Sequence, residues 1–247
     1  MLTKEEIYKI AIKQSARELG CTSRQLQKGG IFSSVDHPKA RAYLRLPFDF
    51  QMVSYGEGLT LSVREDLRSV AEEFRKEYPN YSAFQAPAIQ KLAALLKPYG
   101  LAPRHTAEFF LPDPDLIPEL PCQYEIRLLE QPDFEDLYLP AWGNALCADR
   151  SHLDVLGVGA YHNGRLVALA ACSADCKEMW QIGVDVLPEY RGQGLASALT
   201  TRLTKEILAR DKVPFYCAAW SNMASVRNAI KCGFRPAWVE ITAKPIP

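Results

Sequence analysis

The segment Val184-Asp185-Val186-Leu187-Pro188-Glu189-Tyr190-Arg191-Gly192-Gln193-Gly194-Leu195-Ala196 restricts the fold more than any other stretch of the chain. An apolar strand pattern stops at Pro188, two glycines follow, and a helical apolar period begins at Leu195: strand, glycine turn, helix. Arg191-x-x-Gly194-x-Ala196 sits inside it. A diphosphate needs several N–H donors converging on it with side chains out of the way. Gly192 and Gly194 let the backbone approach and take positive φ. The helix that follows adds unpaired N–H groups and the positive end of its dipole. First helical turns ordinarily favour Asp or Glu, yet no acid occurs between Arg191 and Lys205, as suits an anionic ligand. Arg202 and Lys205 have two readings, a solvated helix face or contacts to a ribose phosphate. The turn follows at least three strands and is not Gly-x-Gly-x-x-Gly, which argues against a dinucleotide fingerprint; Gly-Lys-Ser/Thr is also absent.

Composition narrows the partners. The chain has 247 residues, with 29 Lys and Arg against 29 Asp and Glu, so the basic footprint of a nucleic-acid binder is missing. No run of about 18 apolar residues is present to span a membrane. The start, Met1-Leu2-Thr3-Lys4-Glu5-Glu6, does not resemble a secretory leader, and the expected compartment is the cytoplasm. Seven cysteines (21, 122, 147, 172, 176, 217 and 232) form no Cys-x-x-Cys, and no histidine follows Cys172 and Cys176 to complete a zinc set. Free thiols are the expectation, and no metal. Four scattered histidines (37, 105, 152, 162) suggest neither a triad nor a metal site.

Helical spacing runs from Leu2 to Leu19 and stops at Gly20. Gly29-Gly30 reads as a loop. Tyr43 to Val63 is strand-like, and Gly56-Glu57-Gly58 breaks it into a hairpin. Ser62-x-x-Glu65 reads as a capping box ahead of a helix with Leu67, Val70, Ala71 and Phe74 on its apolar face. A helix over 88–96 and a short strand over 107–111 follow. Phe48, Phe50, Phe109 and Phe110 read as core. Pro112, Pro114, Pro118 and Pro121 cannot continue a helix or a central strand, so the domain junction is placed there. Strands are then expected at 124–129, 156–161, 166–172, 180–186, 215–220 and 237–241. His162-Asn163-Gly164-Arg165 is a type I′ hairpin, and Gly233 ends the helix that starts at Asn222.

Residues from about 122 to 243 resemble the GNAT superfamily of acyl-CoA-dependent N-acyltransferases. The resemblance rests on the Ile126-Arg127-Leu128 strand, the hairpin, the Val-x-Pro-Glu-Tyr-Arg-Gly-x-Gly core, and Asn222-x-x-Ser225 followed by Gly233-Phe234, in that order. The run Met179 to Val186 is similar to that of a bacterial subgroup with an extra N-terminal domain. The resemblance implies an α+β fold. Residues 121–247 would carry a mixed, mostly antiparallel sheet flanked by helices. Residues 1–120 would form a smaller α+β domain, either a degenerate copy of the same fold or an unrelated lid.

The resemblance further implies acetyl-CoA as cosubstrate. The strand to Val186 would splay from the strand at 215–220, with the pantetheine arm pairing to the backbone of Val184 and Val186. The diphosphate would rest on Arg191, Gly192, Gln193, Gly194, Leu195 and Ala196, and Asn222 would hold the cofactor from the other strand. A backbone N–H near Val186 would polarise the thioester carbonyl. The implied reaction is direct attack by a primary amine of a small molecule or peptide in a ternary complex. An alkylammonium is mostly protonated at neutral pH, so a base is needed. Asp185 is the first candidate, an acid within an apolar strand, with pairing to an arginine as its alternative. Glu178 is the second, with plain solvent exposure as its alternative. The family's tyrosine general acid falls at Ala229, leaving Tyr216, Ser221, Ser225 or water. The alternative function is an acyl-CoA-binding sensor without turnover. The protein is expected to act as a monomer or homodimer.

Overall fold

The computed structural model describes residues 2–246, and residue 105 by its backbone alone. In chain order the elements are α1 (Lys4–Glu18), α2 (Ser23–Lys28), β1 (Gly30–Ser33), β2 (Phe50–Ser54), β3 (Leu59–Val63), α3 (Arg68–Glu77), α4 (Ala86–Leu96), β4 (Leu101–Pro112), β5 (Glu125–Glu130), β6 (Asp154–His162), β7 (Arg165–Ser173), β8 (Met179–Val186), α5 (Leu195–Leu208), β9 (Val213–Ala219), α6 (Met223–Lys231) and β10 (Phe234–Pro245). The class is α+β, as expected. Two compact units are present. One comprises Met1–Tyr8, Phe110–Cys217 and Asn222–Arg235; the other comprises Lys9–Phe109, Ala218–Ser221 and Pro236–Pro247. The chain passes between them within α1, β4, β9 and β10 and just before α6.

The unit holding the glycine turn has the strand order β9-β8-β7-β6-β5. β5, β6, β7 and β8 pair antiparallel, and β8 pairs parallel to β9. Asn163 and Gly164 both take positive φ, 51° and 79°, which makes the β6–β7 turn type I′. Val167 to Cys172 of β7 are fully buried, because α5 packs against β6, β7 and β8. The α5 stripe is Leu195, Leu199, Leu203 and Ile207, all buried. Each contributes about 1.5–3 kcal/mol from leaving water. Leu129, Phe134, Trp142, Leu146 and Leu169 form a further apolar cluster.

In the other unit the order is β1-β3-β2-β10-β4. β2 and β3 form the expected hairpin, and β2 pairs antiparallel to β10. Every residue of β2 and β3 is buried. Val70, Ala71 and Phe74 of α3, and Ala88, Leu92 and Leu96 of α4, join their core. A polar cluster is buried beside it. Arg41 is 2% exposed and bonds Glu18 bidentately, through Nε and Nη2 to Oε2 at 2.9 and 2.6 Å. Glu240 Oε2 stands 3.8 Å from the same guanidinium and has no hydrogen-bond donor among the described residues.

Several local expectations give way to tertiary pairing. Ser62 lies inside β3 with its hydroxyl buried and unbonded, so no capping box forms and Arg64 precedes the helical turn instead. Gly30 starts β1, which pairs parallel to β3. The strand expected at 107–111 extends from Leu101 to Pro112, with Pro103 inside it.

Candidate active site

The β8–β9 pairing lasts three residues, Met179–Val213, Trp180–Pro214 and Gln181–Phe215. β8 then continues to Val186 bonded on its other edge to β7, so its far half faces an opening. Gln181 Nε2 donates to Cys217 Sγ at 3.1 Å where the strands part. At the other end of β8 the chain makes a 3-10 turn at Pro188–Tyr190 and enters the glycine turn. Gly192 and Gly194 take φ of 77° and 81°, and a Cβ on either would meet no atom within 4 Å. The left-handed backbone and the open space both fit a ligand seated on the turn. Gly194 is the N-cap of α5, no side chain caps the helix, and its first turn has no acid. Ala198 is the first residue to bond back, to Gly194 O at 3.0 Å, which leaves the preceding N–H groups without an intrahelical partner.

A cleft of about 300 Å³ opens on this turn. Val186, Arg191, Gly192, Gly194, Leu195 and Ala196 line it from the expected side. Ala224, Arg227, Asn228 and Lys231 line it from α6, with Tyr190 and Ser197 completing the wall. The sequence reading did not single out Arg227, Asn228 or Lys231. Their spacing of 224, 227/228 and 231 is one helix face, and that was the available signal. Asn228 locks α6 to α5: its Oδ1 accepts from Ser197 Oγ at 3.0 Å and its Nδ2 donates to Thr200 Oγ1 at 3.1 Å.

Val184, Gln193 and Asn222 are not in that lining. Gln193 Oε1 accepts from Gln123 Nε2 and Tyr124 Oη, both at 2.7 Å. Asn222 caps α6 by accepting from Ser225 N at 3.2 Å. Arg191 Nε donates to Val186 O at 3.1 Å and so ties the turn to the strand end. Arg202 pairs with Glu206 at 2.9 Å, and Lys205 pairs with Glu119.

Asp185 is half-buried and, among the described residues, finds no arginine. Its Oδ2 accepts from the backbone N–H groups of Asn144 and Ala145 at 2.8 and 2.9 Å, and its Oδ1 from Asn144 Nδ2 at 2.7 Å. The 143–146 segment thereby lies flat on β8. A Cβ at Gly183 would come within 1.9 Å of Asn144 O, so only glycine fits there. Glu178 lies before the paired stretch, at the opposite end of β8, about 23 Å of strand from Asp185. The structure does not bring the two acids together.

A smaller cleft of about 160 Å³ adjoins Asn144, Cys147, Arg150, Asp154, Ser173, Gln181 and Gly183. Arg150 Nη1 bonds Asp175 Oδ1 at 2.9 Å, Ser173 Oγ bonds Asp175 Oδ2 at 2.9 Å, and Cys147 N bonds Asp154 Oδ2 at 2.9 Å. Both aspartates are buried. Burial raises the Asp154 carboxyl above its ordinary range, against the Cys147 amide and Tyr138. Ala229 is fully buried in α6. Tyr216, just past the last β8–β9 pair, is 4% exposed. Burial pushes its phenol up, while Ser225 and Asn228 approach it and act the other way. All seven cysteines are free thiols. Among the described residues no helix is long and apolar enough to cross a membrane, and no group of three or more His, Cys, Asp or Glu could hold a metal.

The family model for GNAT acetyltransferase matches residues 104–237, just over half of the chain. Among solved structures, a tandem GNAT protein from the clavulanic acid biosynthesis pathway is 14% identical over 99% of this chain and 97% of that one, with a TM-score of 0.51. A GCN5-related N-acetyltransferase from Kribbella flavida is 17% identical over 79% and 89%, with a TM-score of 0.50. A GNAT-family structure from Novosphingobium aromaticivorans is 22% identical over 58% and 66%, with a TM-score of 0.47. At such identities the likeness speaks to the fold alone. Among curated protein sequences nothing matches.

Proposed function

The chain belongs to the GNAT acetyltransferase family, and from that premise we propose that it is an N-acetyltransferase that moves the acetyl group of acetyl-CoA to a primary amine in a ternary complex. The transferase chemistry is assigned to 121–247, and the N-terminal half to substrate covering or binding. The observation that carries the proposal is the cleft at the start of α5. Open space over two positive-φ glycines, unpaired N–H groups and the cations Arg191, Arg227 and Lys231 together suit a diphosphate-bearing ligand. Acetyl-CoA supplies a thioester-activated acyl carbon. The N–H groups of the turn bind its diphosphate, and the unpaired far half of β8 offers backbone for its arm. The Val186 N–H is the donor that we assign to the thioester carbonyl.

The acceptor is placed in the smaller cleft. The buried carboxylate of Asp154 lines it, and Arg150 there is already bonded to Asp175, so the Asp154 side of the wall suits an ammonium group. A carboxylate has about four acceptor positions. Asp185 uses three of them on Asn144 and Ala145, which leaves one to take a proton from the amine directly or through water. Tyr216 takes the place of the family's tyrosine. Its phenol stays protonated and stands where the strands part, suited to donate to the departing thiolate. Glu178 has no role in this assignment.

The test is coenzyme A release from acetyl-CoA across a panel of small amines and short peptides. Turnover with at least one amine, saturable in both substrates, is expected. Tight acetyl-CoA binding without release across the whole panel would support a sensor instead.

A further inference from the structure

A separate cleft of about 390 Å³ lies wholly within the unit that holds β1, β2 and β3, at a volume typical of ligand sites. Tyr55, Tyr81, Phe84 and Trp238 line it, together with one acid, Glu108. The walls are set by the fold. Val239 of β10 is paired to Ser54 of β2, which fixes Trp238 beside Tyr55. The two rings stack with centroids 5.2 Å apart and planes 19° from parallel. Phe84 leans on Trp220 at 6.2 Å. Tyr81, at 69% exposure, stands at the rim.

Glu108 is the anomaly. It is half-buried on β4, and its carboxylate finds neither a hydrogen bond nor an ion pair among the described residues. A charge taken partly out of water among aromatic rings is unfavourable unless something offsets it. Among the described residues the one influence on its carboxyl is burial, which raises its pKa, and no described cation counters that. An anionic ligand would worsen the imbalance, and a neutral aromatic ligand would leave it in place. Trp238 is itself stacked between Tyr55 and Phe109, so a cation with an apolar skin satisfies the carboxylate and the rings of Tyr55, Tyr81 and Phe84.

We propose that this cleft binds an organic cation of the alkylammonium class, with Glu108 as its counter-charge and Tyr55, Tyr81, Phe84 and Trp238 as its walls. The group arrives either as a free amine or on a lysine side chain, and the two sources share this chemistry. The proposal does not depend on the transferase reading, because binding is measured without an acyl donor.

The test is calorimetric titration of the full chain, with tryptophan fluorescence in parallel, using choline, its uncharged isostere 3,3-dimethyl-1-butanol, and a short lysine peptide. Choline is expected to bind at least about tenfold more tightly than the isostere. Glu108→Gln is expected to erase that preference. Tyr81→Ala, at an exposed rim position that leaves thermal stability unchanged, is expected to weaken choline several-fold. If the lysine peptide outbinds choline and the gain depends on Glu108, the cation is peptide-borne and the proposal stands. Equal binding of choline and the isostere, undiminished choline binding in Glu108→Gln, or no binding of any titrant by the folded protein would overturn it.

Discussion

Gly194→Glu is the sharpest test of the diphosphate assignment. The position has φ of 81° and nothing within 4 Å of a Cβ, so the substitution meets strain but no clash. A left-handed backbone costs a non-glycine residue about 1–2 kcal/mol. In a chain of this size each kcal/mol lowers Tm by about 2–4 °C, so a drop of a few degrees is expected and the fold survives. Binding suffers more. A carboxylate about 4 Å from a phosphate charge near a surface is opposed by about 4 kcal/mol. Salt removes part of this, and what remains is about 3 kcal/mol, or roughly a hundredfold in affinity. Gly194→Ala carries the same strain without the charge and should lose no more than about tenfold. Titration calorimetry with coenzyme A, paired with thermal denaturation, reads both quantities. A folded Gly194→Glu variant with wild-type affinity would falsify the assignment. Equal losses in the two variants would show that strain, not charge at a diphosphate, sets the effect.

Asp185→Asn keeps an oxygen for the Asn144 and Ala145 amides, and Asn144 can turn its side-chain amide to match. Stability should therefore fall by only about 1–2 kcal/mol. Turnover should fall about a hundredfold or more with coenzyme A affinity little changed, and an unchanged rate would remove Asp185 from the chemistry. Tyr216→Phe should lower kcat while leaving the Kd for coenzyme A within a few-fold; equal kcat values would return the proton to water. Glu240 supplies a pH test in the other unit. Burial raises its carboxyl above the ordinary range, against the pull of Arg41. The folded state thus holds this proton more tightly than the unfolded chain. Its contribution to stability is full below the unfolded value near 4.3 and is lost as pH rises through the raised folded value. Glu240→Gln should gain Tm relative to the natural protein as pH rises from about 5 to about 8; a pH-independent difference would contradict this reading.

How much of this was legible beforehand depended on range along the chain. The hairpin at Asn163-Gly164, the α5 stripe and the turn at 191–194 follow from φ restrictions and periodicity within a dozen residues, and they appear as expected. The Ser62 capping pattern failed because pairing of β2 with β3 drew that residue into a strand. The sequence marked Asp185 as an acid in an apolar strand but proposed an arginine as its structural partner. The actual partners are amides about 40 positions earlier.

The sequence by itself determined where a turn with free backbone N–H groups falls, because the two glycines flanking Gln193 and the helix start after them expose those groups. Only the tertiary structure decided what faces that turn, Arg227 and Lys231 from α6, and what builds the smaller cleft with its buried Asp154 and the aromatic cleft with Glu108. These rest on strand register and helix packing between distant segments. Such contacts are selected by burial of the whole unit, and no local pattern encodes them.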